Sequence, residues 1–364
     1  MSGQEISVVF DTGSQTTKVG FAGEAFPRAV FPTVVARFRR AGLVDGFPLI
    51  YCGKEAIQNR GLSHLTWPVE EGQIQDWDEM EKFWHHAFYK EIHVPPEDSK
   101  VLHAVHPLVS RRDRERMAEV LFESFAISGL YLMKSPALVL HASGRTTGVA
   151  LETGYSCCYA APVFEGFPLK QSTEVSPLNG ELLTNRLQKL MVEIGYSFTT
   201  PEERCYVAHN YEEEIANSTC SGENKTSYKL PDGQQIILGE ERFKCPEVLF
   251  NPSLEGLNCQ SVVDIICSSI SKSELENRAL FYQNIVVAGG NSMIPGLVNR
   301  LKAELGFKLV KEPWKTNVDA LPSRRYAAWV GGSILASLSC LKGFWMTKEE
   351  YEDVGSDRVN YKFF

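Results

Sequence analysis

Residues 6–34 alternate apolar and polar side chains with the two-residue period of half-buried strands. Ile6-Ser7-Val8-Val9-Phe10 runs into the turn Asp11-Thr12-Gly13-Ser14 and returns through Lys18-Val19-Gly20-Phe21. The pattern recurs downstream, where Thr147-Gly148-Val149-Ala150-Leu151 runs into Glu152-Thr153-Gly154-Tyr155 and returns through Tyr159-Ala160-Ala161-Pro162. A third apolar run, Ile285-Val286-Val287-Ala288, reads as a buried strand before Gly289-Gly290-Asn291-Ser292 and a helix opening near Pro295. Helical spacing marks the stretch begun by the capping acid Asp76, then Arg111–Ile127, Ala137–Ala142 stopping at Ser143-Gly144, Gly180–Ile194 and Gly331–Leu341. Gly42–Pro48 reads as a surface loop, Tyr211–Lys229 as an acidic, polar surface segment, Gln235–Leu238 as a strand and Glu349–Phe364 as a C-terminal tail. Strand-turn-strand units at residues 6 and 147, each followed by helices, predict an α/β duplication with a cleft between its halves.

Composition narrows the class without naming it. At 364 residues, with 43% hydrophobic and 23% charged positions, the chain is an ordinary globular protein of two or three domain-sized units. A net charge of −8 argues against nonspecific nucleic-acid binding and against an anionic membrane surface. The nine cysteines are scattered, with no C-x-x-C pair, which points to reduced, buried thiols and away from disulfides or zinc. No signal-peptide pattern opens the chain and no apolar run reaches membrane-spanning length, so the expected location is cytosolic or nuclear, without membrane insertion. On that expectation the triplets at Asn217 and Asn224 read as polar loop, not as glycosylation sites.

The glycine turns carry the candidate chemistry. A tight turn after a buried strand presents backbone N–H groups to an anion, and Lys18 adds a point charge for a phosphate. The strand-glycine-helix unit at Gly289 suits a phosphate or ribose at a helix N-terminus. Either turn alone is also what an ordinary β-turn looks like, and only the pair suggests a clamp for a polyphosphate.

At these residues the chain resembles the actin superfamily. The likeness is carried by Gly20-Phe21-Ala22-Gly23-Glu24, Pro27-Arg28-Ala29-Val30-Phe31-Pro32, Trp77-Asp78-Glu79-Met80-Glu81-Lys82 and Trp84-His85-His86. It continues through Ala142-Ser143-Gly144-Arg145-Thr146-Thr147-Gly148, Gly195-Tyr196-Ser197-Phe198-Thr199-Thr200 and Trp329 to Ser339. The resemblance implies four subdomains around a nucleotide cleft. Residues 1–142 with 327–364 form one half, carrying 33–67 as a small outer subdomain, and residues 143–326 form the other, carrying 179–258. It implies ATP or ADP with Mg2+ or Ca2+, bound weakly or not at all. The nucleotide falls to Gly13, Ser14, Gln15, Lys18, Thr153, Gly154, Gly180, Gly289, Gly290, Asn291 and Arg325, and the metal to Asp11 and Glu152.

Departures from the family pattern bear on activity. The family's second turn, Asp-Ser-Gly-Asp-Gly, reads Glu152-Thr153-Gly154-Tyr155-Ser156, which shifts one acid outward by a methylene and replaces the other with a ring. The glutamine that orients the attacking water falls on Ser135, the histidine past the turn on Tyr159, and the often methylated histidine on Glu71. Only Pro201-Glu202-Glu203-Arg204 separates Thr200 from Cys205, too short for the family's adenine-side helix, and the tyrosine near the base falls on Ile294. Phosphoryl transfer depends on positioning, so the resemblance assigns no catalytic residue here and implies slow or absent hydrolysis. An apolar partner groove maps to His141, Leu335, Leu338, Cys340 and Phe344, although a small-residue helix there is also ordinary core packing. The expected function is that of a structural or cytoskeletal subunit or scaffold, partnered with actin-family or cytoskeletal proteins. A nucleotide-dependent polymerising ATPase is the alternative, and a sugar-kinase-like phosphotransferase is a distant third.

Overall fold

The structure, a computed structural model, describes residues 6–38, 50–196, 202–221, 225–230, 233, 235–310 and 315–363. The loop expected at Gly42–Pro48 lies outside the described residues, as do Ser197–Thr200, Pro201, Asn224 and Phe364. The chain divides into two compact units: Met1–Thr146 with Phe164–Lys170 and Tyr326–Phe364, and Thr147–Val163 with Gln171–Arg325.

The first unit is built on a mixed sheet. Strands β1 (Ile6–Thr12) and β2 (Thr16–Phe21) form an antiparallel hairpin, and β3 (Ala29–Pro32) pairs with β2. The chain then makes a small antiparallel sheet, β4 (Val35–Phe38) between β5 (Ile50–Cys52) and β6 (Ser63–Thr66), covered by α1 (Gly53–Gln58). Among the described residues its fully buried core is Val34, Ala36 and Ala56, with Tyr51, Ile57 and Leu65 packed against it. Two-residue strands β7 (Val69–Glu70) and β8 (Gln73–Ile74) follow, and their turn holds Glu71 in the left-handed region at φ 49°.

Helix α2 (Trp77–His86) starts where the sequence predicts, with the Asp76 carboxylate accepting the Glu79 N–H at 3.0 Å. It buries Met80, Phe83 and Trp84 against β1 and β9 (Ser99–Val105) in the main core of this unit. Helix α3 (Arg111–Glu119) ends earlier than the predicted Ile127. It widens into a π-helical turn, Val120–Ser124, which places Val120, Leu121 and Phe122 consecutively in the core. Strand β10 (Gly129–Lys134) lies parallel to β9 and leads directly into α4 (Ser135–Ala142). That helix stops as predicted, with Gly144 at φ 72°.

The second unit repeats the opening motif. Strands β11 (Gly148–Thr153) and β12 (Cys158–Phe164) form a hairpin; β13 (Phe167–Pro168) follows in the stretch that groups with the first unit, and β14 (Glu174–Ser176) pairs back onto β12. Helix α5 (Gly180–Glu193) is capped by Asn179. The polar surface segment Tyr211–Lys229 holds α6 (Tyr211–Ser221) and β15 (Thr226–Lys229), which pairs with β16 (Gln235–Leu238). Asn217 therefore sits on a helix and not in a loop. Helices α7 (Glu241–Lys244), α8 (Val262–Ser271) and α9 (Leu275–Gln283) lead to the buried strand β17 (Ile285–Ala288), parallel to β11. Helix α10 (Leu297–Lys308) and the short β18 (Val318–Asp319) complete the unit.

The chain returns to the first unit through α11 (Ala327–Ser337), which begins four residues before the predicted Gly331 and ends four before Leu341. Strand β19 (Met346–Thr347) adds to β10, so the sheet runs β19-β10-β9-β1-β2-β3. The expected tail is docked structure. Helix α12 (Lys348–Val354) stacks Tyr351 on Phe122 at 4.6 Å, and α13 (Val359–Lys362) and its successor bury Val359 and Phe363. Arg114 donates to the Phe363 carbonyl at 2.5 Å, and Asn360 to Glu115.

Candidate functional site: two matched glycine turns

In the first unit the β1–β2 hairpin places Asp11 opposite Lys18 and Thr12 opposite Thr17. The Gly13 N–H donates to the Thr16 carbonyl at 3.1 Å, closing a tight turn. A Cβ on Gly13 would stand 3.1 Å from that carbonyl and 3.6 Å from Lys18 Nζ, so glycine keeps the cradle open. Lys18 Nζ lies 3.2 Å from Asp11 Oδ2 and donates to the Thr16 carbonyl at 3.3 Å. Thr33 braces the turn from β3's end: its hydroxyl donates to the Gly13 carbonyl at 2.7 Å and its N–H to that of Gln15 at 3.0 Å. Ser14 is half-buried and Gln15 exposed. The result is a rigid, charge-balanced loop.

Beneath it lies a group that the sequence does not announce. His103 on β9 is 3% exposed and packs parallel to the Phe10 ring at 5.9 Å. Its Nδ1 is 2.7 Å from the Ala104 carbonyl, which can only accept, so Nδ1 carries the proton and Nε2 accepts from Thr12 Oγ1 at 3.2 Å. Burial pushes the imidazole pKa down to about 4.

In the second unit the same frame recurs. Glu152 stands opposite Tyr159 and Thr153 opposite Cys158, and the Gly154 N–H donates to the Cys157 carbonyl at 2.8 Å. Here the acid faces a phenol: Tyr159 Oη donates to Glu152 Oε1 at 2.5 Å. The N-terminus of α5 is spent on the turn, because the Gly180 and Glu181 N–H groups donate to the Gly154 and Tyr155 carbonyls at 2.9 and 2.8 Å. Asn179 Nδ2 holds the Ser156 carbonyl at 3.0 Å. Tyr155 has its pKa raised, first by burial and then by the carboxylates of Glu181 and Glu202.

The third loop joins this turn. Gly289 has φ 94°, and a Cβ there would lie 2.3 Å from the Thr153 carbonyl oxygen, so only glycine allows the approach. Asn291 Nδ2 donates to Thr153 Oγ1 at 3.2 Å and to the Gly154 carbonyl at 2.8 Å. Thr153, Gly154, Gly180, Gly289 and Asn291 are thus brought together within the unit, and Gly290 borders open space. Arg325 is exposed. Its neighbour Arg324, unmarked by sequence reasoning, holds the loop by donating to the Ser292 and Leu321 carbonyls, each at 3.1 Å. Glu202–Arg204 forms one 3-10 turn, in which Glu202 accepts from Thr184 and Arg204 lies over the Tyr228 ring at 5.7 Å.

Among the remaining positions, Ser135 is buried at the first residue of α4, and Lys134 before it has its pKa lowered by burial and by Arg114 and Lys170. His141 and Leu335 are half-buried, while Leu338, Cys340 and Phe344 are exposed around the ends of α4 and α11. Among the described residues no cysteine is disulfide-bonded, no group of three metal-ligating side chains occurs, and no helix is long and apolar enough to cross a membrane.

Comparison with protein families gives one result. A family model described as Actin matches residues 2–201 and 198–364. With both glycine turns and nearly every residue inside that match, the chain belongs to the actin family and has its α/β fold.

Proposed function

We propose that this chain is a structural member of the actin family, a scaffold or assembly subunit with weak or no ATP hydrolysis. The observation that carries this reading is Ser135. Where the family places an amide long enough to orient water, this chain has a hydroxymethyl group buried in the first turn of α4. Hydrolysis by an in-line water is slowed when that positioning is absent.

The second turn supports the same reading. A metal-bound polyphosphate calls for carboxylate oxygens open to a cation's hydration shell and for positive groups facing the phosphates. Turn 2 offers a carboxylate held by a phenol, and the charged groups that act on Tyr155 are Glu181 and Glu202. That donor set does not fit the metal-polyphosphate group. Partners of the actin or cytoskeletal class, docking on the apolar positions around Leu338 and Phe344, complete the proposal, with cytoplasm or nucleus as the location. The Asp11–Lys18 turn favours a second reading, a nucleotide-dependent polymerising protein, because its cradle and cation are both in place.

Denaturing the purified protein and quantifying released nucleotide separates the two. The structural reading expects no stoichiometric ADP and at most ATP that stays ATP. Near-stoichiometric ADP sinks it.

A further inference from the structure

Lys134 is a cation that the fold half-buries among other cations. It is the last residue of β10, where the parallel register sets it beside Val105, and sets Met133 beside Ala104, itself beside Asp11. Side chains alternate along a strand, so Lys134 shares the face of Val105 and Leu132, while Asp11 and its partner Lys18 take the other. Val105 and Leu132 pack in one core with Met117 of α3 and Val120 beyond it. On that helix Arg114 donates through Nη1 to the Phe363 carbonyl, and the Phe363 ring meets Tyr131 of β10 edge-on at 4.9 Å. Helix α4 runs on directly from Lys134 and packs against β13, which ends two residues before Lys170. All of these residues belong to the first unit.

The charges here do not cancel. Burial lowers the Lys134 pKa, and Arg114 and Lys170, both positive, lower it further. Among the described residues neither lysine has a hydrogen bond or an ion pair, and Arg114 Nε is buried without a partner. Glu115 acts on Arg114, but less than Arg111 does, and it already accepts from Asn360. Elsewhere the chain answers its cations, Lys18 with Asp11, Lys82 with Glu79 and Arg300 with Glu247. In a protein of net charge −8, this trio runs against the general field. Holding like charges together, partly out of water, costs free energy that an anion set between them offsets.

We infer that Lys134, Lys170 and Arg114 form an anion site of the first unit, separate from the glycine turns, whose ligand is a doubly charged oxyanion of the phosphate type. Two ammonium groups act as point charges and the Arg114 Nε–H is a directed donor, a combination that suits phosphate oxygens. The inference holds whether or not the chain hydrolyses ATP, since Asp11 and Lys18 lie on the other face of the sheet.

The test is inorganic phosphate added to the full chain at neutral pH, followed by calorimetry and by melting, against sodium chloride at the same ionic strength. The wild type should bind phosphate saturably and melt higher in it than in chloride. Lys134→Met keeps a long side chain and removes the charge, so affinity should fall by about tenfold or more, the worth of a charged hydrogen bond. Lys170→Gln, at an exposed position, should weaken binding in the same direction and serves if Lys134→Met does not fold. Without phosphate each variant should melt above the wild type, because it relieves repulsion, and in phosphate below it. An unaltered phosphate response in both variants would put the ligand elsewhere, the first glycine turn included, and overturn the inference. A wild type that responds equally to chloride, by screening alone, overturns it as well.

Discussion

At the scale of single residues, buried histidine gives the sharpest expectation. His103 is held neutral by burial, its pKa pushed down from 6.5 to about 4. In the unfolded chain the ring takes a proton as pH falls below 6.5, whereas in the folded chain it resists until about 4. Its contribution to stability is therefore complete above pH 6.5 and lost as pH falls through 4, and across that window it amounts to about 3 kcal/mol. His106, also driven down to about 4 by burial, acts in the same direction. Urea titrations at about pH 7.5 and about pH 5 should show the lower midpoint in acid, and His103→Phe should shrink the difference. Equal midpoints in the wild type would mean that the imidazole is not buried as described. None of this was legible in the sequence. The chemistry of Asp11 and Lys18 lies within one hairpin and can be read from local spacing, but His103 meets its partner Thr12 across 91 positions.

At the scale of elements, the close packing of α11 on α4 depends on glycine. Gly331 has an ordinary helical conformation, so its role is spatial: a Cβ there would stand 1.8 Å from the Leu138 carbonyl oxygen. At Gly332 it would stand 2.8 Å from Val9 Cγ1 and 3.1 Å from Leu102 Cδ2. The helix is otherwise pinned by Trp329 Nε1 donating to the Val9 carbonyl at 3.0 Å and by Ser333 Oγ donating to that of Glu24 at 2.7 Å. It has little room to back away. Gly331→Ala should cost about 3 kcal/mol, and Gly343→Ala, where nothing lies within 4 Å, should stay within about 0.5 kcal/mol. Chemical denaturation of both variants checks the contrast, and an equal, small effect would refute the packing argument. Elements were missed from sequence where one anchor does the work of a whole face. Helix α6 is acidic in its first turn and mostly small and polar after it, and it is fixed by Tyr211 against Phe243 at 6.0 Å and by Glu214 accepting from Tyr206 Oη at 2.6 Å. Helices α12 and α13 are only seven and four residues long, too short for a periodic pattern to announce them.

At the scale of the whole molecule, the repeat of strand-turn-strand was readable because each copy is contiguous, and the two compact units each begin with one. What holds the loops was not: the resemblance groups Gly180 and Asn291 with turn 2, but Arg324, which fixes the third loop through the Ser292 carbonyl, meets it across 32 positions. If the chain acts through its surface, residues that contribute nothing to its own stability should still matter to partners. Leu338 is 45% exposed and Phe344 60%, beside Ile334 at 42%, so these three side chains leave much apolar area in water around the end of α11. Replacing Leu338 and Phe344 with aspartate removes little buried contact and should change stability by no more than about 1 kcal/mol. On the proposed partner surface, the same pair of charges would have to be desolvated without a counter-ion, which costs far more than the apolar contact it replaces. Co-sedimentation of the folded double variant with filamentous actin should then be lost if the wild type shows it. Retained binding at unchanged melting temperature would move the partner surface elsewhere. Lost binding accompanied by a large drop in melting temperature would return these residues to the protein's own packing.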